Sequence, residues 1–158
     1  MSVRNFGKKK IGELLIEEGF LDTKNLQEAL EVQKKEGGLI GSILVRMGWV
    51  SEEDLVFTLS KQLSIPFIRL SHFNINRNAL RLIPKEVAER FLFFPFDEED
   101  GTISFAMSDP LNHDALEAIE KRIPFRVHMF LATVSDIREA ISIYYGLVSK
   151  EGEESKKR

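Results

Sequence analysis

Residues 10–33, KIGELLIEEGFLDTKNLQEALEVQ, align with residues 39–62, LIGSILVRMGWVSEEDLVFTLSKQ, at a constant offset of 29 positions. Ile11 meets Ile40, Gly12 meets Gly41, Leu15 meets Leu44 and Gly19 meets Gly48, while Leu26, Leu30 and Gln33 meet Leu55, Leu59 and Gln62. The pairs Leu14/Ile43, Ile16/Val45, Phe20/Trp49 and Leu21/Val50 keep their apolar character. Self-similarity at a fixed period means one supersecondary unit used twice, so this part of the chain must fold as two quasi-equivalent halves.

Each copy reads as a short helix, a glycine stop and a longer helix. Leu14, Leu15 and Ile16 form a compact apolar cluster, and Gly19 supplies the left-handed position that ends a helix cheaply. Asp22 and Ser51 have the chemistry of N-caps, and Ser51 with Asp54 has the capping-box spacing. Leu26, Leu30 and Gln33 fall on one helical face, as do Leu55, Leu59 and Gln62. The connector KKEGG, residues 34–38, is polar and ends in glycine.

Packing alone accounts for the leucines and isoleucines. Gly12 and Gly41 are different, because glycine near a helix start lowers stability unless something must approach the backbone closely. The free N–H groups of a helix start are also donors for an anion such as a phosphate. Nor does core packing by itself ask for the same Gln at both ends. Two readings therefore stand for the repeat: a duplicated helical core, or the frame of a two-halved ligand site.

From residue 64 onward, strand-type and helical segments alternate. IPFIRL reads as a strand, PKEVAERF as a helix with Pro84 at its first position, and FLFFPF as an apolar run ending near Pro95. TISFAM and RVHMFLA read as further strands, the first of them after the turn DEEDG. PLNHDALEAIEKR reads as a helix stopped before Pro124, and VSDIREAISIYYG as an amphipathic helix ended by Gly146. The fold class expected is α+β: a duplicated helical-hairpin subdomain over 1–63 packed against a small α/β subdomain over 64–147 with a three- to four-stranded sheet. Residues 148–158, VSKEGEESKKR, read as a disordered tail or linker.

The chain has no cysteine, which removes disulfides and thiolate chemistry and fits a reducing compartment. Its formal net charge of -3 argues against a general DNA or RNA binder, which needs many cationic phosphate contacts. Arg4, Lys8, Lys9 and Lys10 precede the first copy, and the acidic run Asp97–Asp100 reads as solvated surface. No apolar run approaches the roughly 20 residues of a membrane span, and no secretory signal pattern opens the sequence.

No catalytic constellation is present. Gly7 and Gly12 have P-loop spacing, but Glu13 stands where that loop needs Lys. The motifs HExxH, GxSxG and GxGxxG do not occur, and His72, His113 and His128 lack metal-ligand spacing. SDP at Ser108–Pro110 follows a strand and opens a helix. On residue types it is an ordinary turn; its functional alternative is an Asp109 carboxylate that accepts from a guanine edge or an arginine.

Taken together, the doubled motif with IPFIRL, LIPKEVAERFLFFPF and ISFAMSDPLNHDALEAIE resembles the N-terminal (MshEN-type) domain of type II secretion and type IV pilus assembly ATPases. The resemblance covers about residues 8–147. It implies a bacterial regulatory domain without catalytic activity, with cyclic di-GMP as ligand, no metal, and half of the dinucleotide on each repeat. The positions so implied are Lys10, Ile11, Gly12, Leu15, Gly19, Leu26, Leu30 and Gln33, with Ile40, Gly41, Leu44, Gly48, Leu55, Leu59 and Gln62, and Asp109 in the second half. The family motif opens Arg-Leu-Gly; here the copies open Lys10-Ile11-Gly12 and Leu39-Ile40-Gly41, so the guanidinium is lost from both and the cation from one. Arg46 and Lys35 are the nearby cations that could compensate.

The resemblance also implies partners: an assembly ATPase domain in the same or another chain, and an inner-membrane platform protein. It implies a cytoplasmic location, with recruitment to the inner membrane through a partner and no direct membrane insertion. The alternative reading is a protein-docking module that links the ATPase to the platform protein, with nucleotide binding weakened or lost.

Overall fold

The computed structural model describes residues 10–123 and 126–147. The basic run at Arg4, Lys8 and Lys9, the helix stop at Pro124 and the tail from residue 148 lie outside the described residues. The chain divides into two compact units, one ending at Ile65 and the other beginning at Pro66.

The first unit holds four helices: α1 (Ile11–Glu17), α2 (Thr23–Glu36), α3 (Ile40–Arg46) and α4 (Glu52–Leu63). Both short helices end in the same way. Gly19 and Gly48 adopt φ of 81° and 77°, a region that a residue bearing a Cβ rarely enters. The Gly19 N–H donates to the Ile16 carbonyl and the Phe20 N–H to that of Leu15; Gly48 with Val45 and Trp49 with Leu44 repeat the pattern at 3.0–3.1 Å. This pair of bonds is a Schellman stop, which satisfies carbonyls that a helix end otherwise leaves unpaired. The long helices start on side-chain caps: the Asn25 N–H donates to Asp22 Oδ1 at 2.7 Å and the Asp54 N–H to Ser51 Oγ at 3.0 Å.

Packing follows the duplication. α1 lies against α4, α2 against α3, and α1 against α3. Exchanging the two copies turns the first contact into the second and leaves the third unchanged, so the unit has the contact pattern of a pseudo-two-fold. Leu15, Leu21, Ala29, Ile43, Leu44 and Val50 form its buried cluster, flanked by Ile11, Leu26, Ile40 and Leu55.

The second unit is built on a three-stranded mixed sheet in the order β1 (Phe93–Glu99), β2 (Thr102–Met107), β3 (Arg126–Leu131). The β1–β2 hairpin turns through Asp100 and Gly101, both at positive φ, the geometry of the tight turns that fit twisted strands. β2 and β3 run parallel, which requires a crossover, and α7 (His113–Arg122) provides it. The remaining helices are the four-residue α5 (Arg77–Leu80), α6 (Lys85–Phe91) and α8 (Val134–Ala140), the last continuing as a π-helix over Ile141–Tyr145. Phe93, Phe94, Phe105, Ile103, Met107 and Leu131 are fully buried at the centre, with the Phe93 and Phe105 rings 4.5 Å apart. The architecture is thus α+β, with three strands among the described residues.

Three local expectations need correction. IPFIRL is not a strand: only Phe67 forms a bridge, to Leu131. Pro66 has no N–H to donate, and the chain leaves the sheet into a 3-10 turn at Leu70–His72 whose Leu70 N–H is held by the Asp136 carboxylate at 2.8 Å. The apolar run FLFFPF opens β1, and Pro95 within it is tolerated because β1 is an edge strand with a register shift between Pro95 and Asp97. Pro84 is the N-cap of α6 and not its first helical residue. Gly146 ends nothing: it is helical at φ -62°, and the helix reaches it through the π segment.

Candidate functional site

The starts of α1 and α3 are where the two copies lack side-chain caps. Lys10 and Leu39 occupy the N-cap positions, and neither makes a side-chain cap bond, unlike Asp22 and Ser51 on the long helices. The first-turn N–H groups there have no intrahelical acceptor and carry the positive end of the helix dipole. Lys10 is exposed, and Leu39 is 54% exposed, an unusual state for a large apolar side chain at a repeat position.

Gly12 and Gly41 are explained by their own repeats. A Cβ on Gly12 would lie 2.6 Å from Leu26 Cδ1, and one on Gly41 would lie 3.1 Å from Leu55 Cδ2. The close approach expected at these positions is therefore a leucine of the second helix seated on the first. That packing accounts for the missing Cβ at both positions without a ligand. What the glycines do is bring each helix pair together at the end where the uncapped N–H groups lie.

The glutamines also part company. Gln33 Nε2 donates to the Gly38 carbonyl at 3.0 Å and so holds the turn of the KKEGG connector, whereas Gln62 is exposed. Leu15 and Leu44 are fully buried, and Leu59 is 7% exposed. Leu30 departs from its expected place in the core: it is 39% exposed. Ile11, Leu15, Leu26, Ile40, Leu44 and Leu55 are thus brought together as one cluster, while Lys10, Leu30 and Gln62 remain on the surface. Gly19 and Gly48 act as helix stops.

Of the two cations that could compensate for Leu39, Arg46 is engaged: its Nη2 lies 2.7 Å from Glu36 Oε2. A second bond was invisible in the repeat pattern. Lys61 Nζ meets Glu18 Oε1 at 2.7 Å, tying α4 to the end of α1. Its repeat counterparts are Val32 and Met47, so no self-alignment could reveal it.

Asp109 sits in the second unit, in the loop between β2 and α7. Its Oδ1 accepts from the Leu111 N–H at 3.0 Å, which is the turn expected from SDP, and the helix cap itself is Asn112. Oδ2 is buried with no hydrogen-bond partner. Burial pushes the Asp109 carboxyl above its ordinary range, opposed by the Leu111 N–H and by the charge of His113. An orphan acceptor of this kind is under-satisfied by the chain alone. His128 is exposed and stands edge-on to Phe130, with ring centres 6.4 Å apart. Among the described residues, no cluster of His, Cys, Asp and Glu could hold a metal, and no helix is long and apolar enough to cross a membrane.

Known proteins resemble this chain in sequence. The type IV pilus assembly ATPase PilB of Myxococcus xanthus is 36% identical over 136 residues, 86% of this chain and 24% of that protein. PilB of Thermus thermophilus is 33% identical over 92% of this chain and 16% of its own length. The type II secretion system protein E of Xanthomonas campestris is 25% identical over 87% of this chain and 25% of its own length. The chain thus spans a quarter or less of these curated relatives.

Among solved structures, MshE with cdg (cyclic di-GMP) matches with a TM-score of 0.78 and 32% identity, over 87% of this chain and 100% of that one. The N-terminal domain of XpsE, at 20% identity and a TM-score of 0.71 over 86% of this chain and 97% of that one, shares the fold. The MshEN domain family matches residues 63–150, which begin at the end of α4 and leave the repeat outside the matched stretch. The chain belongs to the MshEN domain family.

Proposed function

We propose that this chain is a cyclic di-GMP-binding regulatory domain of a type IV pilus or type II secretion assembly ATPase, and that the duplicated helical unit holds the dinucleotide. The observation that carries this reading is the likeness to MshE with cyclic di-GMP, which runs the full length of that chain at 32% identity. The pseudo-two-fold contact pattern supports it, because a ligand with two guanines and two phosphates is met naturally by two equivalent half-sites. In this reading the uncapped N–H groups at Ile11, Gly12, Ile40 and Gly41 face phosphate oxygens, and Lys10 adds a charge on one side. Leu30 and Leu39 offer apolar cover to guanine faces, and Gln33 and Gln62 offer amide hydrogen bonds. Gly19, Leu15, Leu26 and Gly48, Leu44, Leu55, Leu59 serve as the frame that sets these groups in place. Asp109 is proposed separately, as an acceptor for a ligand or partner donor at Oδ2. Calorimetry with cyclic di-GMP, using GTP and cyclic di-AMP as controls, tests the reading. Saturable heat with cyclic di-GMP alone supports it, and its absence at high micromolar ligand removes it.

A second reading is favoured by one observation, the exposed leucine where the motif start carries a cation. In it the unit docks a platform protein, and the exposed apolar surface at Leu39 belongs to that interface. The assembly ATPase, the platform protein, the cytoplasmic location and recruitment to the inner membrane belong with these two proposals. A pull-down from native lysate that recovers secretion or pilus components, and loses them with Leu39→Lys, supports docking; recovery unchanged by that substitution counts against it.

A further inference from the structure

The second unit carries a groove between α6 and the α8–π segment, about 300 Å³ in volume, lined by Lys85, Glu89, Leu92, Arg138, Ile141 and Ser142. Two irregularities meet there. Leu92, the C-cap of α6, is held in the left-handed region at φ 49°, a position that glycine normally fills and that costs free energy for leucine. Opposite it, Ile141 and Ser142 belong to the π-helix, a rare form that tends to occur where a helix serves a function and not only a fold. A strained leucine and a π segment that line the same groove are a reason to ask what the groove receives.

Its chemistry narrows the answer. Lys85 pairs with Glu89 at 3.7 Å along α6, while Arg138 has no ion-pair partner among the described residues. The rim's two cations and one carboxylate leave a single uncompensated positive charge, on a planar guanidinium suited to a carboxylate. A phosphate dianion or a dinucleotide would face Glu89 with excess negative charge; one carboxylate would not. The floor, Leu92 and Ile141, is apolar and fits the aliphatic neighbour of that carboxylate. We propose that the groove receives a single acidic side chain, flanked by an apolar one, from a partner polypeptide. The site shares no residue with the repeats and stands whether or not the chain binds cyclic di-GMP.

The test is NMR titration of the full chain with acetyl-Leu-Glu-Leu-amide, its Gln counterpart, and inorganic phosphate. The Glu peptide should move the amides of Leu92, Ile141 and Ser142 and the Arg138 Nε resonance saturably. Its affinity should fall about fivefold with the Gln peptide and with Arg138→Gln, the range of one exposed charge pair. Arg138→Lys should retain part of the effect, which separates charge from misfolding, and the Gln peptide on the unsubstituted chain decides the matter if Arg138→Gln fails to fold. Equal binding of the two peptides, no saturable shift at about 10 mM peptide, or larger shifts with phosphate would each overturn the proposal.

Discussion

In the first copy of the repeat the helix start carries Lys10, Gly12 is buried tight against Leu26, and Leu30 is 39% exposed. In the second copy the same three positions hold an exposed Leu39, a Gly41 with more room beside Leu55, and a Leu59 that is 7% exposed. The Schellman stops, the N-caps and the central pairs Leu15/Leu44 and Leu21/Val50 are alike. Even the inter-copy contacts have diverged: the Glu18–Lys61 ion pair on one side corresponds to partly buried Met47 and Val32 on the other. What both copies keep is the backbone frame; what they have let drift is the chemistry displayed on it. The drift reaches packing positions too, since Leu59 is buried where Leu30 is exposed and Val32 and Met47 pack on the core where Lys61 and Glu18 form an ion pair.

The likeness of the frames can be broken most strongly at its centre. Leu15→Ala and Leu44→Ala, each emptying a fully buried position, should each cost ~2–5 kcal/mol in urea unfolding and agree with each other to within about 1 kcal/mol. A large gap between them would mean that the two halves do not share the core equally. The next contrast should be unequal: Leu59→Ala is expected to cost ~2–3 kcal/mol and Leu30→Ala less than ~1 kcal/mol, following their burial. Equal losses would show that Leu30 is covered in solution.

A smaller effect separates the glycines. Gly12→Ala must displace Leu26 from 2.6 Å, whereas Gly41→Ala meets Leu55 at 3.1 Å, and both gain up to ~1 kcal/mol of helix propensity. Gly12→Ala should therefore be the less stable of the two by thermal melting, and the reverse order would contradict the packing account. Smallest of all, replacing the pair with its apolar counterparts, Glu18→Met with Lys61→Val, should change stability by less than ~1 kcal/mol, because Lys61 is largely exposed. A greater loss would give that ion pair a structural role its exposure does not suggest.

Much of this was readable in the sequence. The offset of 29 exposed the two hairpins, Gly19 and Gly48 announced their stops, and Asp22 and Ser51 their caps, because these features rest on local backbone chemistry. The Asp100–Gly101 hairpin turn was readable for the same reason. IPFIRL has β propensity, but propensity does not say whether an edge pairing continues beyond one bridge, and here it does not. The packing role of Gly12 and Gly41 is not legible in the sequence, because their neighbours Leu26 and Leu55 come from the next helix, 14 residues on, a contact that no local pattern reveals. Leu30 and Leu59 have the same letter and the same spacing, and only the fold distinguishes the exposed one from the buried one. The orphan oxygen of Asp109 was likewise out of reach: the SDP turn could be read, but the burial of Oδ2 could not.

The central claim is that the two uncapped helix starts form the halves of one dinucleotide site. Its most direct measurement is calorimetric titration of cyclic di-GMP into the unsubstituted chain and into Leu39→Arg, which restores a guanidinium to the second start. The account predicts saturable binding by both, tighter in Leu39→Arg, and none with GTP. No heat from either protein at high micromolar ligand, or an affinity unmoved by Leu39→Arg, would contradict it.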